Sequence, residues 1–185
     1  MGSEETSVAK LGGSIRACRL LIGLLWIAAA AQVARYYPRL PEVVASHFDA
    51  AGRPNDWAPK VALLAIYLAV LVLMTVIFAV VPGHILKVPD SMINLPNKAY
   101  WLAPERRAVT EGKLALFMAE CGVATIALLV CVFQMVFTAN LSRAPSLPKG
   151  IVVLLVAFLA YMTVWTVRLF LAFKVRSGEA SRRTR

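Results

Sequence analysis

Residues 61–81 form a run of 21 residues without a single charged side chain. A helix rises about 1.5 Å per residue, so about 20 apolar residues cross a hydrocarbon core about 30 Å thick. Pro82 and Gly83 follow the run directly and are typical of a helix end. This segment is therefore predicted to be a transmembrane helix, because a small soluble domain is not expected to contain such a long uncharged run.

Three further apolar segments are long enough to cross a bilayer. The first of them is short, and Arg16 and Arg19 extend it because their long side chains can reach the headgroups. Its basic residues and four alanines at 28–31 also resemble a cleavable signal peptide, although Glu4 and Glu5 in a long leader are atypical of one. The four spans are predicted at about 15–35, 61–82, 113–139 and 150–173.

The composition agrees with an all-α integral membrane protein. Hydrophobic residues make up 59% of the 185 residues, mean hydropathy is +0.69 and only 16% of residues are charged. Globular domains average about 25% charged residues, and a small soluble chain cannot bury so much apolar surface. These values exclude a disordered chain, a collagen-like chain and a disulfide-stapled secreted module.

Lysine and arginine counts predict the orientation. Of the 20 lysines and arginines, 13 lie in the N-terminal segment, in the loop at 83–112 with Lys113, and in the C-terminal segment. Six lie in the other two loops, and Arg168 lies within a span. The positive-inside rule therefore predicts that both termini and the loop at 83–112 lie in the cytoplasm. The predicted parts are a tail at 1–14, a membrane domain at 15–173 with an outer loop at 36–60 and a cytoplasmic loop at 83–112, and a basic tail at 174–185.

The outer loop is predicted to be compact. Residues 43–48 are rich enough in β-branched side chains for one short strand. Asp49 to Gly52 is predicted to be a turn in which Gly52 takes a positive φ, and residues 53–56 are predicted to be a second turn. Trp57 and Lys60 lie where the second span begins, as interfacial residues do.

The loop pattern Leu-Pro-Glu followed by Ser-His-Phe-Asp-x-x-Gly-x-Pro-x-x-Trp-x-x-Lys, ending at Lys60, resembles the signature of the SdpI-type bacterial membrane family. The resemblance covers about residues 20–82, the family's shared N-terminal domain of undefined function. It implies an immunity protein that protects a bacterium from a membrane-active peptide, although the chain lacks a clear match to the family's additional C-terminal helices. A second family-like run contains Pro96, Asn97, Tyr100, Trp101, Arg106 and Arg107.

His47, Asp49 and Asp56 are the candidate metal ligands of the loop. Their spacing matches no established ligand pattern and a third firm ligand is missing, so no metal site is predicted. The preferred interpretation is that His47 hydrogen-bonds the loop backbone and both carboxylates stabilise turns. Ser46 precedes His47, but neighbours on a strand point to opposite faces. No nucleophile-elbow, metalloprotease, P-loop or dinucleotide motif occurs, so we expect neither an enzyme nor a cofactor.

Glu120 and Arg168 are the two ionisable residues expected deep within spans. Glu120 lies about 10 Å beyond Lys113 and Arg168 about 9 Å before Lys174, so antiparallel helices would bring the two charges to one level. An ion pair is predicted. The alternatives are that Arg168 reaches the headgroups while Glu120 is protonated, or that a proton relay includes Thr125, Gln134, Tyr161 and Thr166.

The cytoplasmic loop is predicted to lie along the membrane surface, with a helix beginning at residues 103–105 and running into the third span. It could bind anionic lipid or a partner, or serve as a headgroup anchor. The expected function is non-enzymatic: an SdpI-like immunity or envelope-stress factor that interacts with membrane lipids and a peptide or membrane-protein partner, and not with nucleic acid. The alternatives are a subunit of a larger membrane complex and, third, a small transporter.

Overall fold

The computed structural model describes residues 2–82, 89–142 and 144–174, with side chains from residue 6 onward. Four of its helices are long and apolar enough to cross a membrane, at Thr6–Arg39, Lys60–Val80, Arg107–Asn140 and Gly150–Ala172. The predicted fold class, an all-α membrane protein with a small β element in one loop, is confirmed. Residues 175–185 of the predicted basic tail and residues 83–88 of the predicted cytoplasmic loop lie outside the described residues.

The helices are α1 (Gly2–Tyr36), α2 (Lys60–Thr75), a short α3 (Lys98–Trp101), α4 (Arg107–Asn140) and α5 (Gly150–Ala172). A π-helical turn, Val76–Val80, continues α2. The two strands are β1 (Val43–Phe48) and β2 (Pro54–Pro59). We call the end of the bundle that carries the strands the hairpin end, and the opposite end, where α1 and α4 begin and α5 stops, the terminal end.

Helix α4 is the central element of the bundle. It packs against α1, α2, α5 and β1, whereas α5 packs mainly on α4 and contains no buried residue. Aromatic stacking fixes the level of the helices near the hairpin end, where the rings of Tyr36 and Phe137 lie 5.9 Å apart. The apolar core between α1, α2 and α4 is built around the fully buried Tyr67, Leu71 and Ile126.

Two segments differ from the sequence-based expectation. Residues 2–14, predicted as a tail, form the first turns of α1. Residues 54–56, predicted as a second turn, belong to β2, which pairs antiparallel with β1. Pro54 and Pro59 stand at the two ends of β2, and such positions tolerate proline because no ladder donor is required there.

Candidate functional site

The hairpin is fixed to the membrane bundle by one buried side chain, Asn140 at the end of α4. The backbone N–H of Ala45 donates to Asn140 Oδ1 at 2.7 Å. Asn140 Nδ2 in turn donates to Ala45 O and to Val136 O, both at 3.0 Å. Because the Asn140 side chain takes the place of a neighbouring strand, it satisfies the outward backbone groups of β1 and holds the hairpin at a defined height.

The turn between the strands is built by two residues of the sequence motif. Asp49 Oδ1 accepts hydrogen bonds from the backbone N–H groups of Ala51 and Arg53, at 2.9 and 2.8 Å. Gly52 has a φ of +76°, as predicted, and its carbonyl accepts a bond from Leu147 N at 2.9 Å. A Cβ at Gly52 would lie 2.9 Å from Leu147 O, so only glycine fits between the turn and the loop before α5.

His47 and Asp56 form an exposed pair across the two strands. His47 Nδ1 lies 3.3 Å from Asp56 Oδ2, and their side chains are 72% and 66% exposed. A register shift between Ala45 and His47 leaves Ser46 without an opposite residue, as in a β-bulge, and Ser46 Oγ lies 3.3 Å from the same His47 nitrogen. The expectation that Ser46 and His47 point apart is therefore wrong.

The contacts of His47 differ from the geometry of a catalytic triad. A catalytic triad needs the serine on one ring nitrogen and the carboxylate on the other, whereas Ser46 and Asp56 both contact Nδ1 of His47. Asp49 is engaged by backbone N–H groups of the turn, and Asp56 Oδ1 accepts a bond from Trp57 N at 2.8 Å. Within residues 2–82, 89–142 and 144–174 no three His, Cys, Asp or Glu side chains are grouped to hold a metal.

Lys60 joins the hairpin to the end of α1. Its Nζ lies 2.9 Å from Glu42 Oε1, 3.4 Å from Leu40 O and 5.2 Å from the centre of the Tyr37 ring. Its aliphatic stem is mostly covered, so the ammonium group is placed rather than free to move. Trp57, three residues earlier, is 51% exposed. Lys60 is thus a structural residue, and Trp57 belongs to the open surface.

A chain of hydrogen bonds that the sequence did not reveal lies beneath the hairpin. Tyr67 OH donates to Gln32 Oε1 at 2.8 Å, and Gln32 Nε2 donates to Gln134 Oε1 at 3.0 Å and to Val130 O at 2.9 Å. Gln134 Nε2 continues the chain to Tyr36 OH at 2.6 Å. These bonds tie α1, α2 and α4 together inside the hydrocarbon. Gln32 and Gln134 were the sequence signal from which such a network could have been predicted, because an amide side chain within a membrane span needs a hydrogen-bond partner.

The structure brings Glu120 and Arg168 together on α4 and α5. Arg168 Nη1 lies 3.2 Å from Glu120 Oε2, and Nη2 lies 3.4 Å from Oε1, a two-pronged contact. Trp165 Nε1 adds a bond of 3.0 Å to the carbonyl of Phe117, one turn away. These bonds form the polar contact by which α5 is attached to α4.

Three of the four other members of the suggested relay do not line up with this pair. Thr166 Oγ1 bonds back to Met162 O in its own helix, at 2.8 Å. Gln134 belongs to the chain near the hairpin and lies about 21 Å along α4 from Glu120. Tyr161 OH reaches only the backbone carbonyl of Glu120, at 3.4 Å. The geometry therefore favours a link between helices.

Exchanging the two charges tests that link. Glu120→Arg alone and Arg168→Glu alone place like charges face to face at a lipid-exposed interface, and we expect each to lower the free energy of unfolding by about 2 kcal/mol. The double variant restores opposite charges and is expected to recover most of that loss. Unfolding in mild detergent measures all three. A double variant as unstable as the sum of the single variants would contradict the pairing.

The second predicted motif caps the end of α5 at the terminal end. Asn97 has a φ of 54°, and its Nδ2 donates to Phe173 O at 3.1 Å. Trp101 Nε1 donates to the same carbonyl at 2.9 Å, and its ring packs edge-on against the Phe173 ring. Two side chains thus satisfy a carbonyl that a helix end leaves without an internal partner.

Basic residues flank this cap. Arg106 lies with its guanidinium carbon 4.0 Å from the centre of the Tyr100 ring, and Arg107 Nη1 contacts Asp90 Oδ1 at 2.9 Å. Pro96 lines a cavity of about 340 Å³ between this loop and the ends of α4 and α5. The predicted helix start at 103–105 is corrected to Arg107, because residues 103–106 form a turn.

Comparison with known proteins gives one family match. A domain of unknown function, DUF1648, matches residues 23–71, which hold the last 14 residues of α1, the whole hairpin and most of α2. No curated protein and no solved structure matches the chain. This region lies within residues 20–82, where the family resemblance was noted. The match supports an uncharacterised membrane-family domain there and does not identify an activity.

Proposed function

We propose that the chain is a non-enzymatic SdpI-type factor for immunity or envelope stress in the bacterial cytoplasmic membrane. In this proposal the hairpin faces the exterior and meets a membrane-active peptide, and both termini are cytoplasmic. The supporting observation is an exposed polar and aromatic surface on a rigid base. We call the side chains of His47, Asp56 and Trp57 the hairpin surface.

Rigidity is what favours a binding role for the hairpin surface. Asn140 fixes β1, Leu147 supports the turn at Gly52, and Lys60 anchors the end of β2. A surface that is already ordered loses little conformational entropy when a partner binds. The hairpin offers an exposed tryptophan for apolar contact and, at the neighbouring position of β2, a histidine–carboxylate pair for hydrogen bonds, and both kinds of contact are common in binding interfaces.

The strands favour recognition through side chains rather than by addition of another strand. Asn140 occupies the outward backbone groups of Ala45 on β1. On β2, Asp56 accepts the N–H of Trp57, and both ends of the strand are prolines. Edges closed in this way are poor templates for a further strand. The expected partner therefore contacts the hairpin surface from above.

Protection of a sensitive bacterium tests the proposal. The chain is expressed in a host that is killed by a panel of membrane-active peptides, and survival is compared with the empty vector. We expect protection against at least one peptide, and Trp57→Ala is expected to reduce it at least tenfold at equal membrane abundance. Met92→Ala, an exposed apolar residue at the terminal end, is the control. Absence of protection against the whole panel would contradict the immunity role.

Sidedness is a separate expectation. After the native Cys18, Cys121 and Cys131 are replaced by alanine, Ala50→Cys at the hairpin turn and Ala99→Cys in α3 each supply one exposed thiol. A membrane-impermeant maleimide added to intact cells is expected to label position 50, and to label position 99 only after the cells are opened. The reverse pattern would place the hairpin in the cytoplasm and remove its encounter with external peptides.

One observation favours the alternative of a subunit in a larger membrane complex. Helix α5 packs mainly on α4 and buries none of its residues, so most of its apolar surface faces lipid or another protein. Purification from native membranes in mild detergent distinguishes the two roles. A stoichiometric partner that is lost with a Val153→Ala, Val156→Ala double variant on the outer face of α5 would favour the subunit role over immunity.

A further inference from the structure

A cleft of about 380 Å³ opens between α1 and α4 at the terminal end, far from the hairpin. Each helix contributes one face to it, at the three- and four-residue spacing of neighbouring turns. The cleft combines two lysines and two serines with three apolar side chains. Its lining consists of Ser7, Lys10, Leu11 and Ser14 from α1 with Val109, Lys113 and Leu116 from α4.

The two helices come close together beside this cleft. A Cβ built on Gly112 would lie 3.1 Å from Leu11 Cδ1, so glycine permits the near contact at that point. Lys113 Nζ lies 4.2 Å from the centre of the Trp101 ring, which holds the ammonium group without neutralising it. Among the described side chains no carboxylate lies within ion-pair distance of Lys10 or Lys113. Within the described side chains the cleft therefore carries two lysines without a carboxylate partner.

Counting from the hairpin end gives the depth of the cleft in the membrane. Tyr36 and Phe137 stack at one level, and about 20 residues, or about 30 Å, lead from there to Arg16 on α1 and Phe117 on α4. Lys10 then lies about 9 Å beyond the hydrocarbon edge and Lys113 about 6 Å beyond it. The headgroup layer is about 5–7 Å thick on each side, so Lys113 lies at its height and Lys10 lies about 2–4 Å beyond it, at its outer edge.

We propose that this cleft binds the phosphate-bearing headgroup of an anionic phospholipid. Lys10 and Lys113 face the phosphate oxygens, and the hydroxyl groups of Ser7 and Ser14 lie on the same rim. Leu11 and Leu116 contact the first methylene groups of an acyl chain. The three apolar side chains of the lining and the level of the cleft at the membrane surface favour a lipid over free phosphate, and basic clefts between spans are suited to such headgroups.

Native mass spectrometry of the full-length chain measures this binding. The protein is released from mild detergent that contains equal amounts of phosphatidylglycerol and phosphatidylcholine. We expect selective retention of phosphatidylglycerol. Two basic residues that each contribute a factor of about five predict an about 25-fold weaker retention by the Lys10→Gln, Lys113→Gln double variant.

A matched control removes the same charge from the same end of the bundle. The Lys98→Gln, Lys174→Gln double variant is expected to keep retention within about twofold, because neither side chain lines the cleft. Ser14→Phe, which fills the cleft and retains both lysines, is expected to weaken retention as well. An equal loss in both double variants would overturn the proposal in favour of general attraction to anionic lipid. Displacement of the lipid by inorganic phosphate would instead indicate a soluble anion as the occupant.

Discussion

Asn140→Ala is expected to release the hairpin from the bundle while the four spans remain inserted. The change removes three hydrogen bonds and leaves the buried N–H and C=O of Ala45 without partners. A buried backbone donor without a partner costs roughly 1–3 kcal/mol, and two such groups place the expected loss at about 3 kcal/mol. Hydrogen exchange is expected to accelerate at residues 43–48 and far less within α4.

Two further variants test whether the lost hydrogen bonds to Ala45 cause this effect. Asn55→Ala removes an exposed amide from β2 and is expected to change stability by less than about 0.5 kcal/mol. Asn140→Asp keeps an acceptor for Ala45 N but turns its second oxygen toward the carbonyls of Ala45 and Val136. The protonated acid can donate there and the carboxylate cannot. The stability of this variant is therefore expected to fall as pH rises above about 4. A flat pH profile with unchanged exchange would contradict the anchoring role.

Gly122→Leu is expected to prevent the close approach of three helices at the middle of the bundle. A Cβ on Gly122 would lie 2.5 Å from Phe78 Cβ on the π-helical turn after α2 and 3.7 Å from Ile22 Cδ1 on α1. The first distance is far below van der Waals contact, so α4 and α2 must separate. Overpacking a core lowers the free energy of unfolding by up to about 3 kcal/mol. Separation of the helices would also lengthen the hydrogen bonds between Gln32, Tyr67 and Gln134. We expect a lower unfolding temperature and less monomer on gel filtration.

Gly23→Leu is the matched control for that variant. Gly23 is also a glycine within a span, but a Cβ there meets nothing within 4 Å and the position is exposed. The added leucine would face lipid and favour the helix, so stability is expected to stay the same or rise slightly. Equal damage from both changes would indicate a general intolerance of larger residues in these spans and would contradict specific packing at Gly122.

The membrane fold could be predicted from the sequence because its cause is local. Uncharged runs such as residues 61–81 must lie in lipid whatever their neighbours are, and the turn at Gly52 follows from residue type alone. The meeting of Glu120 and Arg168 could also be anticipated, because antiparallel helices of known rise fix the depth of each charge.

The parts that were missed depend on contacts between distant segments. Strand β2 contains two prolines and an acid, and it becomes a strand because β1 lies beside it. Asn140 reads as an ordinary polar residue at a helix end until Ala45, 95 residues earlier, is placed against it. Gln32 and Gln134 likewise give no sign of being partners of each other. The sequence alone does not show which of these distant residues lie close together in the fold.

The backbone bond between Leu147 and Gly52 also bears on how the chain can be divided. The region from 23 to 71 relies on Asn140, Gln134 and Leu147, all of which lie beyond its limit. A fragment trimmed to that region would leave the backbone of β1, the amide of Gln32 and the underside of the turn open to water or lipid. The smallest unit that keeps its shape therefore extends to the start of α5, and shortened versions should be designed with that boundary.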